Sequence, residues 1–565
     1  MGTTKAIEVE AKFAVDTGVD VPDLSAVCMV AEDASCTIHT LSAIYYDTAD
    51  LTLTDNRVVL RRRTGGTDAG WHVKFPAATG RLEIRCPAGE PPQPGTPVTP
   101  PEEIASQLTA LLRNRPVTAI ARVDNERHVH RLLDDRGNDI AEFCDDHVTA
   151  WSFLPGGQKT SWREWEFELT DGTTDADTAE QMLISAAAVL TAAGATDSDF
   201  PSKLVAALGK SSSNVARPAA VVPAAGTPAA SVVAALSADR DKIIAWDPAV
   251  RRNDDDSVHQ MRVATRQMRS HLSTFSGILD PAATAPVEDE LKHLAKILGR
   301  ARDAEVVAEM LDKIFDRETD AGVSHKLREF VLSGIRDDYT RAWTQAVEFM
   351  SSPRYVALLD AVDGLVRTPP LVAGTPAQPD GEENTPSHGM STSKRTGAGG
   401  KKNNKRTRRT SPGTVDATDK ILADHLSAAF EKLAGQYRLA AQGLADSSLP
   451  LTQREDRVHD MRKTAKKLRY AVEAAGSHSG LKTAKLYRKL SVLQDDLGDF
   501  QDTVVVRDLL ATKAAAAHEA GFDTFSLGIV HEIVHTAGKN RLADLERHFA
   551  KVDKAYRKMM AAAAR

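Results

Sequence analysis

Charged side chains at every second position, recurring in one short run after another, constrain the first third of this chain more than any other feature. In Ile7–Phe13, residues Glu8, Glu10 and Lys12 alternate with Ile7, Val9, Ala11 and Phe13, and an extended strand sends i, i+2 and i+4 to one face. A single strand of this kind reads most simply as an edge wetted by solvent. The alternation returns, however, at Arg61 and Arg63, at His72 and Lys74, at Arg81, Glu83 and Arg85, and at Glu164, Glu166 and Glu168. One charged face on strand after strand predicts a closed barrel with a charged lumen. The alternating runs are Ile7–Phe13, Val58–Arg63, Trp71–Phe75, Leu82–Cys86, Arg122–Leu133 and Trp162–Leu169, with turn chemistry such as Thr64-Gly65-Gly66 and Asp135-Arg136-Gly137 between them. Pro101–Arg113 and Thr178–Ala193 read as helices decorating this antiparallel sheet.

From about residue 230 the alternation stops, and Ala, Leu, Arg, Lys and Glu recur at helical spacing. The expected fold class is therefore α+β: an antiparallel β domain over residues 1–210, a Pro-rich extended tether over 211–229, and an all-helical domain over 230–565. A Pro/Gly/Ser/Thr stretch at about 368–416 interrupts the helical part and carries Lys394, Arg395, Lys401, Lys402, Lys405, Arg406, Arg408 and Arg409, which reads as a disordered basic loop. The helical domain also repeats itself. His259-Gln260-Met261-Arg262 with Arg266 and Arg269 returns as His459-Asp460-Met461-Arg462 with Lys466 and Arg469, an offset of 200 residues (459 minus 259). Leu298-Gly299 followed by Asp303 likewise returns as Leu497-Gly498 followed by Asp502. Such spacing predicts a tandem duplication. With 71 basic against 78 acidic residues and a net charge of -7, affinity for a polyanion has to come from local clusters of Lys and Arg. Cys28, Cys36, Cys86 and Cys144 follow no metal or disulfide spacing, and neither an apolar leader nor an 18-residue apolar run is present, so the expected location is the cytoplasm with no membrane partner.

A lumen that mixes carboxylates with Arg and Lys suits a polyphosphate. Carboxylates bind hard Mg²⁺ or Mn²⁺, which bridges phosphate oxygens, while guanidinium and ammonium groups neutralise the rest. Without such a ligand, buried charge of this kind costs several kcal/mol per ion. Glu8-x-Glu10-x-Lys12, Tyr46-Asp47-Thr48, Leu60-Arg61-Arg62-Arg63, Lys74 and Glu166-x-Glu168 together resemble the CYTH family, the triphosphate tunnel metalloenzymes, over residues 5 to about 207. The resemblance implies an eight-stranded tunnel, Mg²⁺ or Mn²⁺, and hydrolysis of inorganic tripolyphosphate or an organic triphosphate. It implies Glu8, Glu10, Asp145, Glu166 and Glu168 as metal ligands, and Lys12, Arg61, Arg63, Lys74, Arg127 and Lys203 as phosphate-binding residues, Lys203 lying on a helix that closes the tunnel. Glu8, Glu10 and Lys12 would form the catalytic group. Lys12 would either activate water through a lowered pKa or act by charge alone. Glu83 is a weaker acidic match. Two departures bear on substrate and metal stoichiometry: Arg85 where many members have a second acid, and Asn125 where a Lys would precede Arg127. His72, His128, His130 and His147 read as solvated strand residues.

On the first repeated helix, His259, Arg262, Arg266 and Arg269 fall within an arc of about 80°, opposite Met261, Met268 and Leu272. His459, Arg462, Lys466 and Arg469 repeat the arc. A charged helix face is usually just solvated, but neither arc contains an acid to pair with its cations. These helices and the two LGxxxD elements resemble the CHAD family, a duplicated basic helical domain often fused behind a CYTH domain. That resemblance implies binding of inorganic polyphosphate through Arg262, Arg266, Arg269, Arg462, Lys463, Lys466, Lys467 and Arg469, with His259 and His459 beside them. Tyr470 and Tyr487 read as core. The expected function is metal-dependent triphosphatase chemistry in the tunnel with long-chain polyphosphate held by the helical domain, in the cytoplasm at polyphosphate granules. The alternatives are a non-catalytic polyphosphate scaffold and a class IV-type adenylyl cyclase, although no adenine pocket is marked. Nucleic acid is not an expected partner, because the basic 394–409 segment lacks interleaved aromatic residues.

Overall fold

The computed structural model describes residues 3–77, 80–93, 95–170, 176–317, 321–372 and 412–563, and the basic run Lys394–Arg409 lies outside them. The chain divides into two compact units, residues 1–219 and 220–565.

Unit 1 is a single antiparallel sheet of β1 (Thr4–Glu8), β2 (Glu10–Val15), β3 (Glu32–Asp47), β4 (Val59–Thr64), β5 (Gly70–Pro76), β6 (Arg81–Pro87), β7 (Thr118–Leu133), β8 (Asp139–Ser152), β9 (Lys159–Leu169) and β10 (Thr196–Asp197). The order is β1-β6-β5-β4-β3-β7-β8-β9-β2-β10. There are ten strands rather than the expected eight, and the reason is local. The expected run Ile7–Phe13 is broken at Val9, so its first half pairs with β6 and its second half with β9. Chain continuity through Val9 thereby closes the ring, and β10 adds two residues beside β2. Two long strands, β3 and β8, carry no strict alternation and escape the period-two reading. The expected helix over Pro101–Arg113 is α2 (Glu102–Ala105), a 3-10 turn and α3 (Thr109–Leu112), following the earlier single turn α1 (Thr52–Asp55). The helix expected over Thr178–Ala193 is α4 (Ala176–Ala192).

Alternation decides what each face of the sheet does. On β9, Trp165, Phe167 and Leu169 pack with Phe13, Phe143 and the Met182, Ala186 and Leu190 face of α4 in an outer core. Glu164, Glu166 and Glu168 point the other way. At one end, Leu204, Ala207 and Leu208 of α5 (Lys203–Leu208) pack with Ala43, Tyr45, Ile120 and Val148. Ser202 caps this short helix by accepting from the Val205 N–H, which fixes Lys203 at its mouth.

Unit 2 comprises α6 (Pro228–Arg251), α7 (Ser257–Thr274), α8 (Pro281–Arg317), α9 (His325–Met350), α10 (Pro353–Arg367), α11 (Pro412–Ala445), α12 (Leu451–His478), α13 (Ala484–Glu519), α14 (Phe525–Arg541) and α15 (Leu545–Ala563). The two copies of the repeat do not form separate bundles. Val307, Leu311 and Phe315 of α8 and Val331 and Ile335 of α9 share one core with Val506 and Leu510 of α13 and Val530 and Val534 of α14. The basic helices α7 and α12 also touch, through Ser270 Oγ to the Lys467 carbonyl at 3.3 Å and buried His271 Nε2 with the Tyr470 carbonyl at 3.2 Å. No helix of the described residues is long and apolar enough to cross a membrane.

Candidate functional site

The lumen of unit 1 encloses a cavity of about 410 Å³ lined by Glu8, Glu10, Lys12, Arg61, Arg63, Lys74, Arg85, Arg127, Glu166, Glu168 and Lys203, among others. Every residue expected as a metal ligand or phosphate contact except Asp145 therefore reaches it, whereas His72, Glu83 and Glu164 do not line it. Cross-strand register explains the grouping: Lys12 lies opposite Glu166, and Glu10 opposite Glu168.

The carboxylates form two groups with different counter-charge. Asp146, Glu164 and Glu166 are buried, with carboxylate oxygens close enough together to share a cation. Lys203 Nζ already occupies that position, 2.7 Å from Asp146, 2.5 Å from Glu164 and 2.7 Å from Glu166. Arg127 forks onto Asp146 at 2.7 and 2.6 Å and also pairs with Glu166, as does Lys12. Burial opposes ionisation of Glu166, but Lys12, Lys203 and Arg127 outweigh it and hold its pKa well below the usual range. The second group is Glu8, Glu10 and Glu168. Glu8 meets Lys74 and, at 3.6 Å, Arg85, while Glu10 meets Lys12 at 2.9 Å. Glu168 has no ion pair among the described residues, and burial, with Glu8 and Glu10 nearby, pushes its pKa up to about 7. Burial raises Glu8 as well. Within this group Glu168 is the carboxylate left without a cation.

On β4, Arg61 reaches Glu83 at 3.5 Å and Arg63 pairs with Asp68, yet neither arginine is fully satisfied. Buried Nε–H groups of Arg61 and Arg63 donate to nothing. Burial and then the neighbouring Arg61 and Arg127 push the Arg63 guanidinium down to about 9. Arg85 pairs with Glu83 and lies 3.8 Å from Asp68, so this departure adds positive charge beside Glu8. Asn125, the other departure, donates to Asp146 at 2.8 Å.

Several expectations need correction. Asp145 does not face the lumen. It shares its parity on β8 with Ala141 and Phe143, which belong to the outer core, and its oxygens accept from Arg163 at 2.7 and 2.8 Å and from the Trp165 indole at 3.1 Å. Asp146 is the lumen residue, and the apolar parity of Ala141 and Phe143 was the signal for it. Lys12 does not have a lowered pKa: burial acts downward, but Glu166 and Glu10 raise it, so it stays an ammonium. His72 is not solvated. It is fully buried, with Nδ1 2.9 Å from Glu83 and Nε2 2.9 Å from the Asp68 carbonyl.

In unit 2, α7 and α12 with parts of α8 and α13 enclose a cavity of about 860 Å³. His259, Arg262, Arg266, Arg269, His459, Arg462, Lys463, Lys466 and Lys467 all line it. Arg469 does not follow its repeat partner Arg269. It donates instead to Gln494 at 2.7 Å and Tyr487 at 2.8 Å and lies over the Tyr470 ring. A last correction concerns counter-ions, since acids do reach the basic arcs, from other helices. Asp303 lies 3.2 Å from Arg262 and Asp502 4.0 Å from Arg462. These are the aspartates of the two LGxxxD elements, so the second motif serves the first. The cavity also gathers Lys292, Lys296 and Arg302, which no repeat marks. Buried Nε–H groups of Arg262, Arg269, Arg302 and Arg462 have no acceptor.

Family models match in the same order along the chain: a CYTH domain over residues 6–192 and a CHAD domain over residues 234–511. The chain is 34% identical over 564 residues to the uncharacterized protein MT2285 of Mycobacterium tuberculosis (strain CDC 1551 / Oshkosh), covering 98% of this chain and 97% of that one. Among solved structures it is similar to PptA from Streptomyces chartreusis, at 16% identity and TM-score 0.40 over 58% of this chain and 99% of that one. It is also similar to the CHAD domain from the plant Ricinus communis, at 21% identity and TM-score 0.40 over 60% of this chain and 94% of that one. With a relative of this identity along nearly its whole length and both models matched in one chain, the protein belongs to the family in which a CYTH domain is followed by a CHAD domain.

Proposed function

We propose that unit 1 is a metal-dependent triphosphatase acting on inorganic tripolyphosphate or a related triphosphate, and that unit 2 binds long-chain inorganic polyphosphate. The observation that carries the reading is unmet charge of both signs within one lumen: Glu168 without a cation beside Glu8 and Glu10, and Arg61 and Arg63 with buried Nε–H donors short of an acceptor. An all-oxygen donor set suits Mg²⁺ or Mn²⁺ rather than a softer metal. Glu8, Glu10 and Glu168 would hold it, and when bound it would supply Lewis-acid charge to a bridged phosphate. Glu166, matched by three cations, acts instead to hold Lys12, Arg127 and Lys203 in place.

The chain's own groups do the positioning. Arg61, Arg63, Lys74 and Arg127 bind and orient anionic oxygens, and hydrolysis by water placed in line needs little beyond that orientation and charge stabilisation. Lys12, held as an ammonium, stabilises charge that develops on phosphate oxygens and does not take a proton from water. Among the lining residues Tyr45 is the only Phe, Tyr or Trp, so a nucleobase has little to stack on; this favours an inorganic chain over a nucleotide and disfavours the cyclase alternative.

Phosphate release in Mg²⁺ or Mn²⁺ from tripolyphosphate, ATP, thiamine triphosphate and long-chain polyphosphate tests the hydrolase, with Glu8→Gln/Glu10→Gln as the control. The expected result is turnover of tripolyphosphate that the double variant loses. Equal, slow release by both proteins from every substrate refutes hydrolysis and leaves the scaffold reading. For unit 2, the full chain with Arg262, Arg266, Arg462 and Lys466 all changed to Ala should lose polyphosphate affinity, and retention of full affinity sinks the assignment.

A further inference from the structure

Lys466 stands in a like-charged group that the protein alone leaves unbalanced. From α7 it is faced by His259, Arg262, Arg266 and Arg269. On α12 itself it has Arg462, Lys463, Lys467 and Tyr470 beside it, with His459 further along. From α8 come Lys292, Lys296 and Arg302 with Glu288 and Asp303, and from α13 comes Asp502. Helices α6 and α11 also pack on α12 and contribute no lining side chain. Asp303 is engaged with Arg262 and Asp502 with Arg462, and no acid comes within ion-pair distance of Lys466 or Arg266 among the described residues.

Repulsion in such a group is relieved by whichever member can release a proton near neutrality. Guanidinium groups do not, whereas an ammonium among guanidiniums does. The duplication has made the two halves unequal on this point, because the residue equivalent to Arg266 is a lysine at 466. Burial first, then Arg462, Arg266 and Arg262, bring Lys466 down to about 6. Arg266 in the same surroundings falls only to about 10, above any working pH.

We propose that polyphosphate binding in the α7–α12 cavity is coupled to uptake of one proton by Lys466 Nζ, so that the occupied cavity carries one more positive charge than the free one and affinity rises as pH falls. This rests on the polyphosphate reading of unit 2. The proton comes from solvent and bonds to the Nζ lone pair, and no bond in the ligand breaks. Phosphate oxygens supply the negative potential that the cavity lacks, so the ammonium form, disfavoured in the free protein, becomes the favoured one.

The test is calorimetric titration of the full chain with long-chain inorganic polyphosphate at about pH 7.5, in two buffers of different ionisation enthalpy, repeated across pH. Wild type should take up about one proton per site, and its affinity should rise by up to about tenfold for each unit of pH lowered towards 6. Lys466→Arg, permanently charged, should bind with most of that uptake gone and with a flattened pH profile. Lys466→Met should also lose the uptake, matching wild type at alkaline pH and falling behind it as pH drops. Binding by wild type without proton uptake overturns the proposal and leaves the polyphosphate reading standing. Unchanged uptake in Lys466→Arg also overturns it, moving the proton to His259, His459 or the ends of the ligand. Failure of wild type to bind polyphosphate at any pH overturns both.

Discussion

Two adjacent aspartates show how much one residue of register decides. Asp145 and Asp146 are chemically alike, yet one braces Arg163 and Trp165 on the outside of the sheet and the other meets Arg127 and Lys203 inside. Asp145→Asn should therefore lower stability by about 3 kcal/mol, the scale for breaking a buried ion pair, with kcat/KM for tripolyphosphate unchanged. Asp146→Asn should lower kcat/KM, since it releases the two cations that it orients. Urea denaturation and phosphate release measured on both variants separate the roles, and equal catalytic loss would undo the parity argument. Lys466 makes a second prediction at this scale. Its folded pKa, about 6, lies below the ordinary 10.5, so the unfolded chain binds the proton more tightly. The resulting penalty is fully present below about 6 and is relieved as pH rises toward 10.5. Without polyphosphate, Lys466→Met should raise the melting temperature of the protein at pH 6 to 7, by a margin that shrinks as pH is raised.

Elements carry the charges to their places. The break at Val9 lets one run of sequence contribute Glu8 to β1 and Glu10 and Lys12 to β2, so the acids of the opening motif sit where the ring closes rather than on one uninterrupted strand. In unit 2, α8 and α13 deliver Asp303 and Asp502 as counter-ions to basic residues of α7 and α12. They stabilise the free cavity and compete with any anionic ligand. Asp303→Asn combined with Asp502→Asn should therefore tighten polyphosphate binding several-fold and steepen its salt dependence, read by fluorescence titration at two ionic strengths. Weaker binding would mean that these acids hold the site together rather than balance it.

Over the whole molecule, two units with separate cores each hold a charged cavity, and the proposed function gives both the same kind of anion. Residues 220–565 produced alone should bind long-chain polyphosphate with salt-sensitive affinity, and residues 1–219 alone should retain tripolyphosphate hydrolysis. Loss of hydrolysis by a folded 1–219 fragment would show that the tunnel depends on the helical unit. The fold class was legible because periodicity is a local property: charges at every second position require strands, and a 3.6-residue period requires helices. The duplication was legible because a repeat is written in the chain itself. Strands β3 and β8 were not legible, since they carry no strict alternation and their places are set by their partners.

The sequence by itself determined which residue types face which way along most strands and helices, and so assigned Glu8, Glu10, Lys12, Arg61, Arg63, Lys74 and Glu166 to one lumen. Tertiary structure alone decided which charges are already matched. Lys203 neutralises Asp146, Glu164 and Glu166, Glu168 is left without a partner, and Lys466 is left among guanidinium groups. The physical reason is range. Side-chain direction follows from neighbouring backbone, whereas the electrostatic state of a buried group depends on every charge within several ångströms, and those charges arrive from elements far apart in sequence.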